Sequence, residues 1–282
     1  MDENKIAGVR RNQYSDKIRE VSDVLKNCTD AEIVSILHEV IDDTPFKTRN
    51  YTEYSHDEYY IVHNKREVIQ NSIKEYPLST SSIKSARPLI DSITGRKSLR
   101  DYAYDSVSFD QFSEIIHYSF GVKSVGRGAY DQREFPFKFC NSQGGLNYLD
   151  LYIVVSNVEG LPQGLYYFDF INDQVCLVQA GNMRTVLKDI HFANEFVAYG
   201  AFTCFVVADL SRVMPKYYKR AYRMAHVDAG ILVAYLELIA ESIDIHSCTV
   251  AGYLEHKLDD LLNLTVNDYP VVSITFGKQY AE

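Results

Sequence analysis

Apolar residues recur along the chain with two spacings, one typical of helices and the other of strands. In the first quarter, Asp16–Asn27 and the segment after Thr29 carry apolar residues three and four apart, which predicts two short helices. Thr29 and Glu32 form a capping-box pattern at the start of the second helix. Tyr51–Ile69 alternates aromatic and charged residues, which predicts strands or an irregular arm. The serine-rich stretch Tyr76–Arg87 lies between prolines and predicts a connector.

After this connector the pattern becomes mixed, and Ser108 with Gln111 predicts the start of a helix that ends before Gly121. The predicted strands are Leu149–Val155, Leu165–Phe170, Gln174–Val178, Phe202–Ala208, His246–Ala251 and Val271–Phe276. The further predicted helices are Asn182–Tyr199, Ala221–Ser242 and Glu255–Asn263. We therefore expect an α+β fold, an antiparallel or mixed sheet around a long central helix, in a domain spanning residues 89–282.

The predicted helix Ala221–Ser242 is apolar over most of its circumference. Its few acidic residues are Asp228, Glu237 and Glu241, and His226 is expected to be a packed core residue rather than a metal ligand. Such a helix needs cover on nearly every side. One chain can supply that cover alone, or a partner subunit can supply part of it.

Composition narrows the class of protein. The 282 residues are 46% hydrophobic and 24% charged, with a formal net charge of −9. An acidic chain does not suit a main affinity for nucleic acid, which needs a basic face. There is no apolar run of about 20 residues for a membrane helix, and the N-terminus lacks the order of a secretory signal. Five scattered cysteines without a C-x-x-C pair predict free thiols in a cytoplasmic protein with no metal site.

Several common catalytic motifs are absent from the sequence. It has no G-x-G-x-x-G after a strand, no Walker loop, no H-E-x-x-H and no G-x-S-x-G. These absences leave nucleotide-binding Rossmann folds, zinc proteases and elbow-type hydrolases without support.

A basic turn opens the mixed domain. In it Arg96, Lys97 and Arg100 flank the hydroxyl of Ser98. Planar guanidinium groups and a hydroxyl donor suit a phosphate, because charge-assisted hydrogen bonds are about twice as strong as neutral ones. A solvated basic turn explains the same residues equally well.

Paired glycines precede the first strong strand, in the segment Asn141–Leu146. Gly144 and Gly145 allow backbone N–H groups to approach a flat or anionic ligand closely. A simple tight turn is the alternative.

Aromatic and basic residues alternate in Lys216–Met224, just before the long helix. An adjacent lysine favours the phenolate form of a tyrosine, so Tyr217 beside Lys216 is a candidate proton acceptor. A basic surface segment or an aromatic dock for RNA are the alternatives. Gly252 and Lys278, each after a late strand, are weaker signals.

The order of these motifs resembles the nitroreductase superfamily, and more closely the SagB/McbC-type azoline dehydrogenases of ribosomal-peptide (bacteriocin) biosynthesis. The resemblance covers roughly residue 92 to the C-terminus. It rests on the basic turn, on S-x-G-G-L before a strand with an acid at Asp150, and on the Lys-Tyr…Tyr-Arg-Met run that begins at Lys216. The loop Val158–Tyr167 and the late Ala-Gly-Tyr at Ala251 are also similar.

The resemblance implies an FMN-dependent oxidoreductase with a homodimeric nitroreductase-like fold whose flavins lie at the subunit interface. The residues it implies for holding the flavin are Arg96, Lys97, Ser98 and Arg100 on the phosphate and ribityl chain, Ser142, Gln143, Gly144 and Gly145 along the isoalloxazine, Gly252 as a backbone contact and Lys278 as a phosphate cation. Lys97 stands where many members carry arginine.

The resemblance also implies the reaction. A thiazoline or oxazoline in a precursor peptide would lose two hydrogens, as a hydride and a proton, to become a thiazole or oxazole. Tyr217 would take the proton and Lys216 would stabilise the charge.

The glycine segment departs from the family pattern P-S-[GA]-G-A-L-Y-P-[LI]-E. Both prolines and the tyrosine of that pattern are missing, because this chain has Asn141, Asn147 and Tyr148 at those positions. Contacts to the substrate are therefore less secure than binding of the cofactor.

Three functions remain open at this point. The first is azoline dehydrogenation, with residues 1–88 docking the peptide, a cyclodehydratase or a leader-binding subunit, although a simple extension that covers a dimer explains this segment equally. The second is NAD(P)H-dependent reduction of a small molecule, or another flavin reaction on a peptide. The third is a non-catalytic scaffold subunit of a peptide-modifying synthetase.

Overall fold

A computed structural model describes residues 15–42, 66–79, 86–128 and 134–280. Most of the predicted arm Tyr51–Ile69 lies outside these ranges. Its last residues belong to a short helix rather than to a strand.

The helices and strands follow each other in a mixed order. The helices are α1 Ser15–Leu25, α2 Asp30–Asp42, α3 Arg66–Gln70, α4 Leu89–Gly95, α5 Phe109–Phe120, α6 Arg184–Ile190, α7 Leu210–Tyr217, α8 Arg220–Ser242 and α9 Glu255–Leu262. The strands are β1 Lys74–Pro77, β2 Val122–Gly126, β3 Phe135–Lys138, β4 Leu149–Val155, β5 Gly164–Asp169, β6 Gln174–Ala180, β7 Phe202–Asp209, β8 His246–Val250 and β9 Asp268–Gly277. Short 3₁₀ turns lie at Gln143–Gly145 and Glu195–Tyr199.

Seven strands form one sheet in the order β1-β6-β5-β4-β7-β9-β8, and every neighbouring pair is antiparallel. Strands β2 and β3 form a separate antiparallel pair. Parallel pairing occurs only as isolated bridges in the described chain, at Ser98–Ser247 and Val107–Val158. The predicted α+β fold with a mostly antiparallel sheet is confirmed.

Both faces of the sheet are covered, because successive side chains of a strand point to opposite sides. In β4, Leu151 and Ile153 join the core that includes α5 and α8. Tyr152 and Val154 join the opposite core with residues of α6 and α9. This double burial explains why β4 reads as a continuous apolar run.

The long helix α8 buries one face and exposes the other. Apolar side chains on its outer face remain exposed in the single chain, among them Tyr222, Val227 and Tyr235. The prediction that His226 is a core residue is wrong: this residue is exposed, and its Nδ1 lies 2.8 Å from the carbonyl oxygen of Tyr222.

Two capping predictions are confirmed by hydrogen bonds. The Ser108 Oγ accepts from the Gln111 backbone N–H at 3.1 Å, and the Gln111 side chain accepts from the Ser108 backbone N–H at 3.3 Å. The same reciprocal pair forms between Thr29 and Glu32 at the start of α2.

Two boundaries differ from their predictions. The predicted helix Asn182–Tyr199 is two elements, because α6 ends where the buried His191 turns inward and its Nε2 lies 2.9 Å from the Ser273 Oγ. The predicted connector Tyr76–Arg87 begins inside an edge strand, because Tyr76 pairs with Val175 of β6.

Within the described residues, no helix combines the length and apolar character needed to span a bilayer. All five cysteines lie in the described ranges, and each has a free thiol.

Candidate functional site

The glycine segment forms a tight turn directly before β4. Gly144 and Gly145 have φ values of 65° and 67°, a region that side-chain-bearing residues rarely adopt. The Ser142 Oγ accepts from the Asn147 backbone N–H at 2.9 Å, which closes the turn. We call residues 142–145 the glycine loop.

Tyr217, at the end of α7, lies against the glycine loop. An ideal β-carbon built on Gly144 would overlap the Tyr217 phenol oxygen and lie 2.8 Å from its Cε2. Only glycine therefore allows this approach. The Lys216 ammonium lies 5.2 Å from the centroid of the Tyr217 ring. The structure thus brings together two motifs that are about 70 residues apart in the chain.

The basic turn lies beside the edge strand β8. The Leu99 backbone N–H donates to the Ser247 carbonyl oxygen at 3.0 Å, and Ser98 forms a parallel bridge with Ser247. Both Lys97 and Ser98 are exposed, as is Arg100.

Arg96 and the strand next to it carry further polar groups. The Arg96 Nη1 lies 4.0 Å from the Glu237 carboxylate, which also accepts from the Thr249 hydroxyl at 2.8 Å. Burial raises the pKa of the Cys248 thiol, and nearby Arg100 opposes that shift. The basic turn therefore runs along β8.

Lys278 and Gly252 flank β8 at its two ends. The Lys278 carbonyl oxygen accepts from Ala103 at 2.9 Å, and Gly277, the residue before Lys278, pairs with His246 at the start of β8. Gly252 follows the other end of the same strand, whose five residues span about 13 Å. Lys278 therefore lies with the basic turn, whereas Gly252 lies farther along the strand.

The site residues form two groups in one chain. The basic turn contacts α8 at Glu237, and the glycine loop contacts α8 at Asp228, where the Gln143 backbone N–H donates to the Asp228 Oδ2 at 2.8 Å. Nine residues of helix separate these two acids by about 14 Å. The two groups therefore lie at different points along α8 in one chain.

Asp150, the acid that follows the glycine segment and forms part of the family resemblance, is held by two other residues. Its carboxylate is buried and accepts from Arg212 at 2.9 Å and from the Tyr167 hydroxyl at 2.7 Å. Asp209 and Asp268 lie close by, and Asp209 forms an ion pair with the Arg212 Nε at 3.0 Å. Burial acts to lower the pKa of Arg212, but the neighbouring carboxylates outweigh it and raise that pKa, so the positive charge of Arg212 offsets part of the negative charge of this acidic cluster.

The three acids of α8 were noted in the sequence, but their role was missed. Each holds a neighbouring segment: Asp228 holds the glycine loop, Glu237 holds β8, and Glu241 binds Arg87 and His246, both at 3.0 Å. Acidic residues within an otherwise apolar helix are a signal of buried polar partners. That signal could have identified all three.

The chain belongs to the nitroreductase family, whose model matches residues 93–278. A nitroreductase relative from Methanocaldococcus jannaschii is 22% identical over 191 residues, which are 68% of this chain and 91% of the relative. The fold and the family therefore place this protein in the class of flavin-dependent oxidoreductases.

Solved structures share the fold. A nitroreductase of Anabaena variabilis matches with a TM-score of 0.58 at 22% identity over 68% of this chain, which spans only 38% of that protein. A chain in the E. coli microcin synthetase McbBCD complex with truncated pro-MccB17 bound matches with a TM-score of 0.55 at 17% identity. The latter match covers 90% of this chain and 95% of that chain.

The residues present fit a flavin. The basic turn lies beside the start of β8, and Lys278 follows the strand that pairs there, so this part of the fold offers the cationic donors that a phosphate requires. The glycine loop offers a backbone surface on which a flat ring can lie closely.

Proposed function

We propose that this protein is an FMN-dependent dehydrogenase that oxidises thiazoline or oxazoline rings of a ribosomally made precursor peptide to thiazoles or oxazoles. The observation that carries the proposal is the contact of Tyr217 with Gly144. This contact supports the proposal because the reaction needs a base beside the flavin ring, which this loop would line.

The basic turn and Lys278 would hold the FMN phosphate and ribityl chain, with Gly252 as a backbone contact. Ser142, Gln143, Gly144 and Gly145 would line the isoalloxazine. When bound, FMN supplies the acceptor for a hydride.

Tyr217 would take the proton that leaves the azoline ring. The Lys216 ammonium lies 5.2 Å from the Tyr217 ring centroid and would supply positive charge beside the proton acceptor. Lys216 and Tyr217 are adjacent at the end of α7, and Tyr217 is the one of the two that contacts the glycine loop.

The length of the structural match supports a peptide substrate and synthetase partners. The family model begins at residue 93, whereas the match to the microcin synthetase chain covers 90% of this chain and must include residues before that position. We propose that residues 1–88 dock the peptide, a cyclodehydratase or a leader-binding subunit.

A homodimer would complete the site. The two groups of site residues contact α8 about 14 Å apart in one chain, and exposed apolar residues on α8 offer a surface to a second copy. We propose that the second copy supplies the glycine loop opposite the basic turn.

The first experiment is the visible absorption spectrum of the purified protein, with mass analysis of whatever denaturation releases. Released FMN, followed by loss of two hydrogens from an azoline peptide, is the expected result. Rapid bleaching of the flavin by NAD(P)H without azoline oxidation would instead favour a small-molecule reductase. A protein that neither contains nor takes up FMN would leave the scaffold role.

Substitutions test the two catalytic residues. We expect Lys216→Ala and Tyr217→Phe each to abolish azoline oxidation while FMN stays bound. The matched controls are Lys219→Ala and Tyr222→Phe, which remove an exposed amine and an exposed phenol of the same region. Full turnover in both site variants would overturn these roles.

A further inference from the structure

We propose that Asp228 is a positioning residue that fixes the glycine loop through Gln143 and Tyr148. Asp228 lies on α8 and touches neither peptide nor flavin in this assignment. The flavin part of the inference rests on the proposed function; the anchoring of the loop does not.

One carboxylate oxygen of Asp228 receives two donors. The Gln143 backbone N–H and the Tyr148 hydroxyl each donate to the Asp228 Oδ2 at 2.8 Å. Gln143 belongs to the glycine loop and Tyr148 follows that loop by three residues; they lie 85 and 80 residues before Asp228 in the chain. A single side chain of the long helix therefore holds both the glycine loop and the residue that leads from it into β4.

Burial of the Asp228 side chain is energetically unfavourable unless hydrogen bonds compensate for it. Asp228 is fully buried, and its Oδ1 has no hydrogen-bond partner among the described residues. Burying a polar group whose hydrogen-bonding capacity is only partly satisfied is unfavourable, and an apolar residue is often more stable at such a position. Packing of α8 therefore does not explain the carboxylate, whereas the two donors of the loop do.

The loop needs an external anchor because its own backbone is permissive. Gly144 and Gly145 both have positive φ and are the residue type with the greatest conformational freedom. Proline would restrict the flanking positions, but they hold Asn141 and Tyr148. In this chain the hydroxyl of Tyr148 takes part in the anchor instead.

Tyr148 and Tyr217 connect the anchor to the candidate base. Burial raises the pKa of Tyr148, and Asp228 and Tyr217 raise it further. Tyr148 therefore remains a neutral donor to Asp228, and the anchor lies close to the phenol that contacts Gly144.

Amide hydrogen exchange of the flavin-free protein tests the anchor directly. We expect Asp228→Ala to speed exchange at Gln143 by at least tenfold while the amides of α8 exchange as in the parent. Asp228→Asn keeps an oxygen acceptor and removes the charge, so we expect it to restore slow exchange. A purely structural effect would instead change α8 as well.

Binding of FMN tests what the anchor does. We expect Asp228→Ala to raise the FMN dissociation constant about tenfold, the size of effect expected for lost hydrogen bonds to a charged group. The flavin absorption bands should shift in Asp228→Ala and return in Asp228→Asn.

Asp169→Ala is the matched control. Asp169 is also fully buried and accepts from the backbone N–H groups of Ile171 and Asn172 at a turn outside the site. We expect this variant to change exchange at its own turn and to leave Gln143 and FMN affinity unchanged. If Asp228→Ala does not fold, Tyr148→Phe removes one donor and should give a smaller change in the same direction.

Exchange at Gln143 that is unchanged in Asp228→Ala would overturn the anchor. Faster exchange with unchanged FMN affinity would overturn the positioning role. Failure of the parent to take up FMN would overturn the proposed function and the flavin part of this inference, while the exchange result would still decide the anchor.

Discussion

The ammonium nitrogen of Lys138 lies 3.4 Å from the centroid of the Phe120 ring and 3.6 Å from that of Phe170. This nitrogen is buried and has no hydrogen-bond partner among the described residues. Burial lowers the pKa of Lys138 to about 7, although nearby Cys140 and Asp150 oppose that shift. The two ring faces stabilise the cation only in part.

Replacing Lys138 with methionine should stabilise the protein, most strongly at neutral and lower pH. In the unfolded chain the Lys138 amine keeps its proton up to a pKa near 10.5, whereas in the folded protein it loses the proton near pH 7. The free-energy penalty for burying the charged amine is therefore full below about pH 7 and decreases as the pH rises toward 10.5. We expect a gain in the free energy of unfolding of up to about 4 kcal/mol near pH 7.

Denaturant unfolding of the parent and of Lys138→Met at pH 7 and pH 10 measures this difference. Lys123→Met, at an exposed position of β2, is the control and should show little gain at either pH. An equal gain for Lys138→Met at both pH values would contradict the assignment of a buried, shifted amine.

His191 should make the protein sensitive to acid. It is fully buried, and burial lowers its pKa to about 4. Between about pH 6.5 and pH 4 the unfolded chain takes up a proton that the folded protein does not, so stability falls as the pH falls. The loss through this group amounts to about 3 kcal/mol at most.

We expect His191→Gln to flatten the dependence of the free energy of unfolding on pH between 4 and 6.5. His226→Gln, which changes an exposed imidazole, is the control and should keep the parent's slope. If the free energy of unfolding of His191→Gln depends on pH as steeply as that of the parent, then other groups cause the acid sensitivity.

Gly144→Ala should displace Tyr217 and impair the proposed reaction. The new methyl group would overlap the phenol, and φ of 65° adds backbone strain. Gly160 has φ of 76° but nothing within 4 Å of its built β-carbon, so Gly160→Ala has the strain without the collision. We expect the backbone strain to lower the stability of each variant by about 1 kcal/mol, and the collision to lower that of Gly144→Ala further.

Only Gly144→Ala should lose azoline oxidation, by at least tenfold. Turnover assays of the two variants, alongside their thermal unfolding, separate the contact from the strain. Equal turnover in both variants would show that the contact of Tyr217 with Gly144 has no role in the reaction.

Local patterns predicted the central strands closely. Leu149–Val155 matches β4 at both ends, and Phe202–Ala208 matches β7 to within one residue, because buried strands are continuous apolar runs between turns. The edge strand β1 was missed because Lys74–Pro77 is not an apolar run. This segment is a strand because it pairs with β6.

Contacts between distant segments explain the remaining differences. α6 ends at His191, whose ring reaches Ser273, 82 residues later in the chain. The glycine loop and the Lys-Tyr pair were each noted as separate motifs, but only the tertiary fold brings Tyr217 to Gly144. No pattern within either segment predicts the contact between Tyr217 and Gly144.

The basic turn should distinguish FMN from riboflavin, because only FMN carries the phosphate that its cations would bind. Charge-assisted hydrogen bonds contribute about twice as much as neutral ones. We therefore expect the parent to bind FMN at least 100-fold more tightly than riboflavin, and Arg100→Ala to reduce that ratio about tenfold. Fluorescence titration of both flavins measures the ratio. Tyr217→Phe is the control, since its phenol lies at the glycine loop, and its ratio should equal that of the parent. An unchanged ratio in Arg100→Ala would remove Arg100 from the phosphate site, because loss of a phosphate contact must weaken FMN more than riboflavin.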